Sequence, residues 1–203
     1  MTTPLPGPDG RPRCPWAVSA PEFPAYHDTE WGFPVADDRR LFEKVSLEGF
    51  QSGLSWRTIL VKRPAFREVF AGFDMTAVAR FESADVERLL GDARIIRHRG
   101  KIEAVVNNAA RALDLIEERG SLASYLWSFE PPLAELGEPQ SITTSPSSIA
   151  LSKDLKRRGW KFVGPTTMFA LMEAMGLVNN HVVGCVTREE VAAARRDFTP
   201  PHA

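Results

Sequence analysis

Apolar side chains recur every three or four positions over most of this chain, and the pattern breaks at prolines and glycines. The first long example follows Asp37, where Leu41, Phe42 and Val45 fall on one face of a predicted helix. Glu48 continues this face, because it follows Val45 at the helical spacing. The pattern therefore predicts a carboxylate that points into the protein, and burying a carboxylate is unfavourable unless it has a partner.

The same periodicity predicts helices along the rest of the chain and no run of alternating strands. Residues 57–70 are amphipathic, and Pro64 is expected to open a second helix there. A helical hairpin is expected from Ser83, through the turn GDARIIRHRG, to a long helix that ends at Gly120. Further helices are expected over 122–129, 147–159 and 165–176. The predicted class is all-α.

Length and composition favour one compact domain. The chain has 203 residues, of which 43% are hydrophobic, and its formal net charge is -1. Proline, glycine and charge dominate MTTPLPGPDGRPR, so we expect a loose tail over 1–13, a domain over 14–190 and a C-terminal tail over 191–203. The sequence contains no long apolar run or signal-peptide pattern, and we expect a cytoplasmic protein without membrane association. The charge argues against indiscriminate polyanion binding but leaves local basic patches open.

Cysteine and histidine at the two ends of the chain suggest a metal site. His181 and Cys185 are four positions apart, which would place both on one helical face as half of a tetrahedral site. Cys14 and His27 could supply the other half. Four protein ligands leave no open position, so such a metal would be structural zinc. Spacing alone leaves open the alternative of two buried thiols and two hydrogen-bonded histidines.

A basic turn precedes the long helix. Five cationic or titratable side chains fall within eight positions of a nearly neutral protein: Arg94, Arg97, His98, Arg99 and Lys101. Together with the amides at a helix start, they could hold phosphates without reading base sequence. An ordinary solvated loop is the alternative.

Four aromatic residues fall near these segments: Trp16, Tyr26, Trp31 and Trp56. Flat rings around a carboxylate would suit a flat, cationic or amine-bearing ring. Tryptophans of this kind could equally belong to the hydrophobic core.

Six motifs in order resemble the bacterial type I 3-methyladenine DNA glycosylases. They are CPW at Cys14, AYHDTEWG over 25–32, LEGFQSGLSW over 47–56, IIRHRGKI over 95–102, KFVGPTT over 161–167 and LVNNHVVGC over 177–185. The resemblance covers the chain from Cys14 to Cys185 and is far more specific than any single motif. It implies a two-lobed helix-hairpin-helix fold, a structural zinc, and excision of 3-methyladenine from double-stranded alkylated DNA by a monomer that needs no protein partner.

The resemblance also implies roles for individual residues. Glu48 and Tyr26 would be catalytic, and a flipped base would lie against Trp56, Trp16 and Trp31. Gly53 and Leu54 would form a wedge that enters the duplex, with Gln51 nearby. The implied phosphate contacts are Arg97, Arg99, Gly100 and Lys101, and the implied zinc ligands are Cys14, His27, His181 and Cys185. This hairpin turn lacks the paired glycines of the wider superfamily, so the amides that contact phosphate stay undetermined.

Three other functions are compatible with parts of the sequence. A zinc-stabilised DNA-binding module without catalysis would use Glu48 only as an ion-pair partner. A combined glycosylase and lyase would need a desolvated lysine in the pocket, whereas Lys44 and Lys62 are expected to face the surface. A peptide-binding aromatic groove would leave the basic turn unexplained.

Overall fold

The computed structural model describes residues 2–201, which form ten α-helices and one short pair of strands. The helices are α1 (Phe23–Thr29), α2 (Asp38–Gln51), α3 (Trp56–Val69), α4 (Met75–Val78), α5 (Ser83–Gly91), α6 (Arg99–Arg119), α7 (Leu122–Trp127), α8 (Pro146–Arg157), α9 (Pro165–Ala174) and α10 (Val186–Asp197). The strands are β1 (Leu5–Pro6) and β2 (Pro12–Arg13), and short 3-10 helices lie at Pro15–Val18, Ala71–Phe73 and Leu133–Glu135. The predominantly helical prediction is confirmed. Within 2–201, no helix combines the length and apolarity needed to cross a bilayer.

Helix α2 lies at the centre of the packing, against α3, α6, α7 and α9. It begins as the sequence predicts, because the Asp37 side chain accepts a hydrogen bond of 2.8 Å from the amide of Arg40. Leu41, Phe42 and Val45 are buried on its inner face. This arrangement fixes Glu48, at the end of the same face, inside the protein.

Helix α3 runs through Pro64 without a break, which corrects the prediction of a second helix starting there. Proline lacks the amide of a regular helical hydrogen bond, so a helix boundary was the local expectation. Ile59 and Leu60 before the proline and Phe66 after it are all buried, however. Tertiary packing of this continuous apolar face outweighs the local penalty.

The N-terminal segment departs from the expected loose tail. β1 and β2 pair in antiparallel register, with Leu5 opposite Arg13. The guanidinium of Arg13 is buried and lies 2.7 Å from the carboxylate of Asp28 and 2.5 Å from that of Asp9. A buried bidentate arginine therefore holds a segment that composition alone describes as unstructured.

The C-terminal boundary expected at residue 190 falls inside α10, which continues to Asp197. Phe198 then packs against Trp127, with ring centroids 4.7 Å apart, and Arg195 pairs with Glu130. Residues 191–198 thus belong to the folded domain. Met1, His202 and Ala203, which fall within the two expected tails, lie outside the described residues.

Candidate functional site

A cavity of about 290 Å³ opens between α1, α2, α9 and the start of α3. The residues that line it are Trp16, Phe23, Tyr26, Trp31, Lys44, Glu48, Gln51, Trp56, Gln140, Ala170 and Glu173. The sequence-based site residues Trp16, Tyr26, Trp31, Glu48, Gln51 and Trp56 all come together here. Sequence reasoning missed Phe23, Lys44, Gln140, Ala170 and Glu173. Gln140, Ala170 and Glu173 are far along the chain from the motifs of α1 to α3, so no local pattern connects them with the cavity.

Aromatic rings form the walls of the cavity. Trp16 meets Trp31 edge to face at 5.1 Å, and Tyr26 lies 5.4 Å from Trp56 between ring centroids. Burial raises the pKa of Tyr26, so its hydroxyl keeps its proton and can both donate and accept. An aromatic slot with a few polar groups suits a small flat ring.

Glu48 and Lys44 form a buried ion pair inside this cavity. The two residues are 6% and 5% exposed, and Lys44 Nζ lies 2.7 Å from Glu48 Oε1. The same ammonium donates to the Tyr26 hydroxyl at 2.8 Å and lies 3.4 Å from the centre of the Trp56 ring. The three N–H groups of the ammonium thus have three partners.

The expectation that Lys44 faces the surface was wrong. Lys44 precedes Glu48 by four positions, so both side chains lie on the same face of α2. Burial lowers the pKa of Lys44, and the charge of Glu48 opposes that effect. The rings of Tyr26 and Trp56 and the carboxylate replace water around an ammonium that sequence reasoning places in solvent.

Glu173 brings a second carboxyl group to the cavity. Burial and, to a lesser degree, the charge of Glu48 raise the pKa of Glu173 to about 7, although a hydrogen bond from Asn180 opposes the shift. Among residues 2–201, Glu173 forms no ion pair. Its only signal in the sequence is that it is the one charged residue of the helix PTTMFALMEA.

The loop between α2 and α3 lies at the edge of the cavity, since Gln51 and Trp56 flank it and line the cavity. Gly53 has φ +78°, which favours glycine, and no atom lies within 4 Å of the place where a Cβ would stand. Leu54 is 41% exposed. The loop thus presents bare backbone and one apolar side chain to solvent.

Most cations of the basic turn are already paired. Arg94 forms ion pairs of 2.8 Å with both Glu68 and Asp92, and Arg99 forms one of 2.7 Å with Glu87. Arg97 is exposed and has no ion pair within the described part of the chain. Gly100 lies in the first turn of α6, whose start is capped by the His98 ring.

The side chain of Lys101 points into the protein, whereas the phosphate contact that the resemblance implies would need it exposed. It is 7% exposed, and its Nζ donates to the carbonyls of Phe50 at 2.9 Å and Ser52 at 2.5 Å. These carbonyls lie at the C-terminal end of α2, where cations are favourable. Lys101 therefore ties the basic turn to the loop that carries Gly53 and Leu54.

The cysteine and histidine residues from the two ends of the chain meet behind the cavity. The ligand atoms of Cys14, His27 and Cys185 lie within 4.8 Å of one another, and all three residues are buried. The ring of His181 lies 4.8 Å from that of His27 between centroids. The prediction that His181 and Cys185 lie on one helical face was wrong, because Cys185 is the N-cap of α10 and His181 lies in the non-helical segment before it.

The chemistry of this cluster fits a tetrahedral metal ion. Nδ1 of His27 is 2.7 Å from Asp28 Oδ1, and Nδ1 of His181 is 3.1 Å from Asn179 Oδ1, which leaves Nε2 of each ring for a ligand. Nε2 of His181 is buried and has no hydrogen-bond partner within residues 2–201. Burial lowers the pKa of His181 to about 4, so the ring is neutral. Two thiols and two such nitrogens are the donor set of a structural zinc site.

Two tryptophans separate this cluster from the cavity and contact both. Trp16 lies 5.3 Å from His27, and Trp31 lies 4.6 Å from His181, between ring centroids. Both tryptophans also line the cavity. The position of the aromatic wall therefore depends on the cluster behind it.

Comparison with known proteins gives one consistent family. The family model described as methyladenine glycosylase matches residues 16–189. The chain is 49% identical over 177 residues to DNA-3-methyladenine glycosylase 1 of Escherichia coli K12, a match that covers 85% of this chain and 95% of the relative. It is 41% identical over 177 residues to DNA-3-methyladenine glycosylase of Haemophilus influenzae, covering 85% and 96%.

The fold matches a solved structure with a bound base. This is the crystal structure of a tyrosine-to-phenylalanine variant of 3-methyladenine DNA glycosylase I in complex with 3-methyladenine. The match has a TM-score of 0.81 and 37% identity, and it covers 87% of this chain and 97% of the other.

Proposed function

This chain belongs to the methyladenine glycosylase family, and on that premise we propose that it excises 3-methyladenine from alkylated double-stranded DNA. The reaction is hydrolysis of the N-glycosidic bond between the damaged base and its sugar. The enzyme is a monofunctional glycosylase. Although Lys44 is buried in the pocket, its ammonium is held by Glu48 and Tyr26 and is not free to act as a nucleophile.

The observation that carries this proposal is the aromatic cavity with the buried carboxylate of Glu48 in its lining. A carboxylate can accept hydrogen bonds from the exocyclic amine of a methylated adenine. The rings of Trp16, Trp31 and Trp56 offer faces and edges to a flat, positively charged base. The cavity thus matches the damaged base in shape, polarity and charge.

The base must leave the duplex to reach the cavity, at an energetic cost of a few kcal/mol for unstacking and unpairing. Gly53 and Leu54 lie beside the cavity and are exposed, so they can fill the space that the base vacates. Gly53 permits close approach of backbone to the duplex because it carries no side chain. Gln51, which lines the cavity, lies next to this wedge.

Catalysis then depends mainly on capture and orientation. Methylation at N3 gives the base a positive charge and makes it a good leaving group, so strong acid catalysis is unnecessary. Glu48 and Tyr26 hold the base while its bond to the sugar breaks, and negative charge in the pocket stabilises the positive charge that develops at the sugar. Water then attacks the sugar carbon, and the free base leaves the cavity.

Cys14, His27, His181 and Cys185 hold a structural zinc in this proposal. The proposal is supported by the burial of the four side chains and by the unpartnered Nε2 of His181. The ion would join the segment before α1 to the segment before α10 and fix the shared tryptophan wall. It takes no part in the chemical step.

The remaining parts of the proposal concern the interface and the setting. α5, the basic turn and α6 form the DNA-binding hairpin of a two-lobed helix-hairpin-helix fold, in which Arg97, Arg99 and the amide of Gly100 contact phosphates. Lys101 supports this turn from inside. We also propose that the protein acts in the cytoplasm as a monomer without a protein partner.

Release of free base from methylated DNA tests the proposed function. Purified, zinc-loaded protein is incubated with duplex DNA treated with a methylating agent, and the released bases are separated by chromatography. We expect 3-methyladenine to be released. If a folded, zinc-loaded preparation releases no base but still binds the duplex, the non-catalytic DNA-binding module is the better description.

A further inference from the structure

The charges in the cavity raise a question about how a cationic base is neutralised. Glu48 has the position expected of its counter-ion, but Lys44 already lies 2.7 Å from the Glu48 carboxylate. The ammonium is buried beside Tyr26 and Trp56, where water screens charge weakly. To a base in the cavity, Glu48 and Lys44 together therefore present little net charge.

Glu173 is the other carboxyl group that lines the cavity. It approaches from α9, across from the pair on α2, and it forms no ion pair among residues 2–201. Asn180 donates one hydrogen bond to its Oε1 and so orients the group without adding charge. Glu173 is thus a partly buried carboxyl group without a cationic partner among residues 2–201, next to the space that a base would fill.

We propose that Glu173 is the counter-ion for the cationic base, while Lys44 neutralises Glu48 and leaves it to act as a hydrogen-bond acceptor. This inference rests on the proposed function, because it assumes that the ligand of the cavity is a methylated base. It makes Glu173 the residue that distinguishes a charged, methylated adenine from a neutral one. A single unpaired carboxylate attracts the cationic base electrostatically and has no comparable attraction for the neutral ring.

The surroundings of Glu173 agree with this role. The titratable or charged groups that line the same cavity are Lys44 and Glu48 from α2 and Tyr26 from α1. Burial raises the pKa of Glu173 to about 7, so near neutral pH its protonated and ionised forms are both populated in the empty cavity, and a cation that enters favours the ionised form.

Binding of two matched adenines tests the proposal directly. The probes are 9-methyladenine, which is neutral, and 3,9-dimethyladeninium, which carries one more methyl group and a positive charge. Tryptophan fluorescence or calorimetry gives a dissociation constant for each, and the ratio of the two constants measures the preference for the cation. The proteins are wild type, Glu173→Gln, Glu173→Asp, Lys44→Met and the double variant Lys44→Met with Glu173→Gln.

We expect Glu173→Gln to reduce the preference for the cation by about tenfold, through the lost charge interaction. Gln keeps the oxygen that Asn180 bonds, so the fold should persist, and Glu173→Asp should retain most of the preference because it keeps the charge. Lys44→Met should raise the preference by exposing the charge of Glu48. The double variant should recover a wild-type ratio, since Glu48 then carries the unpaired charge.

Other outcomes would overturn the proposal. An unchanged ratio of dissociation constants in Glu173→Gln means that Glu173 is not the counter-ion. If the double variant does not recover the wild-type ratio, lost charge is not the cause of the reduced preference in Glu173→Gln. Base release by the wild-type protein is measured in parallel. Wild-type protein that releases no 3-methyladenine contradicts the proposed function, whatever the ratios are, whereas active protein with an unchanged ratio contradicts only the role of Glu173.

Discussion

Two buried polar sites lie on opposite sides of one tryptophan wall. In the cysteine and histidine cluster, the ligand atoms of Cys14, His27 and Cys185 converge within 4.8 Å. In the cavity, polar groups including Glu48 and Glu173 surround about 290 Å³ of open space. Trp16 and Trp31 contact both sites.

The cluster and the cavity differ in where each polar group finds its binding partner. The ligand atoms of Cys14, His27 and Cys185 lie within 4.8 Å of one another, so one ion could bind all three, and the proposed site with His181 would be closed. In the cavity, Lys44 and Glu48 satisfy each other, while Glu173 is left for a ligand that enters from outside. Convergent polar groups thus indicate a structural site, and groups arranged around a space indicate a binding site.

Cys185→Ser should produce the largest effect, and on stability. The serine oxygen is a poor zinc ligand, so bound zinc and the stability that depends on it should be lost, lowering the free energy of unfolding by more than about 3 kcal/mol. Zinc stoichiometry by atomic emission and a thermal melt measure this change. Base release by the fraction that stays folded at low temperature should fall much less.

Cys14→Ser is the matched variant for this test. It removes another ligand of the same ion, so the double variant should be little worse than either single one. Equal zinc content and equal melting temperature in wild type and Cys185→Ser would refute the metal assignment.

Glu48→Gln should produce the next largest effect, and on catalysis. Gln keeps the size of the side chain but loses the charged acceptor for the base, so base release should fall about 100-fold. Zinc content should be unchanged, because the cluster lies beyond the tryptophan wall. Single-turnover release of 3-methyladenine measures the loss.

Glu43→Gln, on the same helix but outside the cavity, is the control for Glu48→Gln. It should leave the rate of base release near that of wild type. If Glu48→Gln retains the full rate, Glu48 is only the ion-pair partner of Lys44, as the non-catalytic alternative requires.

Glu173→Gln should stabilise the protein at alkaline pH. The pKa of Glu173 is raised from its ordinary 4.5 to about 7, so the folded state binds its proton more tightly than the unfolded state does. Stability is therefore lost as pH rises from about 4.5 to about 7, and the Gln variant escapes that loss. At about pH 8 we expect it to be more stable by about 3 kcal/mol, with the difference vanishing near pH 4.

Chemical denaturation of both proteins across this pH range checks the prediction. Glu117→Gln, which makes the same change on the exposed face of α6, is the control and should have no effect. Equal stability of Glu173→Gln and wild type at all pH values would show that folding does not raise the pKa of Glu173. A variant that gains stability but loses preference for the cation is expected where a partly buried charge serves function.

The helices and the buried position of Glu48 could be predicted from periodicity, because both depend on spacing within one segment. Contacts between distant segments could not. Lys44 and Lys101 resemble surface lysines in the sequence, yet each is buried by partners from elsewhere, Tyr26 and the carbonyl of Phe50 among them. Glu173 was missed for the same reason, since its role depends on a cavity that α9 shares with α1 and α2.

Arg97→Ala should produce the smallest effect, and on DNA affinity. The other arginines of the basic turn are paired with carboxylates, whereas Arg97 is exposed without an ion pair within residues 2–201. If it contacts a phosphate, its loss should weaken binding severalfold for all sequences and reduce the slope of log affinity against log salt by about one. Titrations of an unmodified duplex at several salt concentrations measure both quantities. Arg196→Ala, which removes an exposed arginine of α10, should change neither, and an unchanged slope in Arg97→Ala would show that Arg97 does not contact a phosphate.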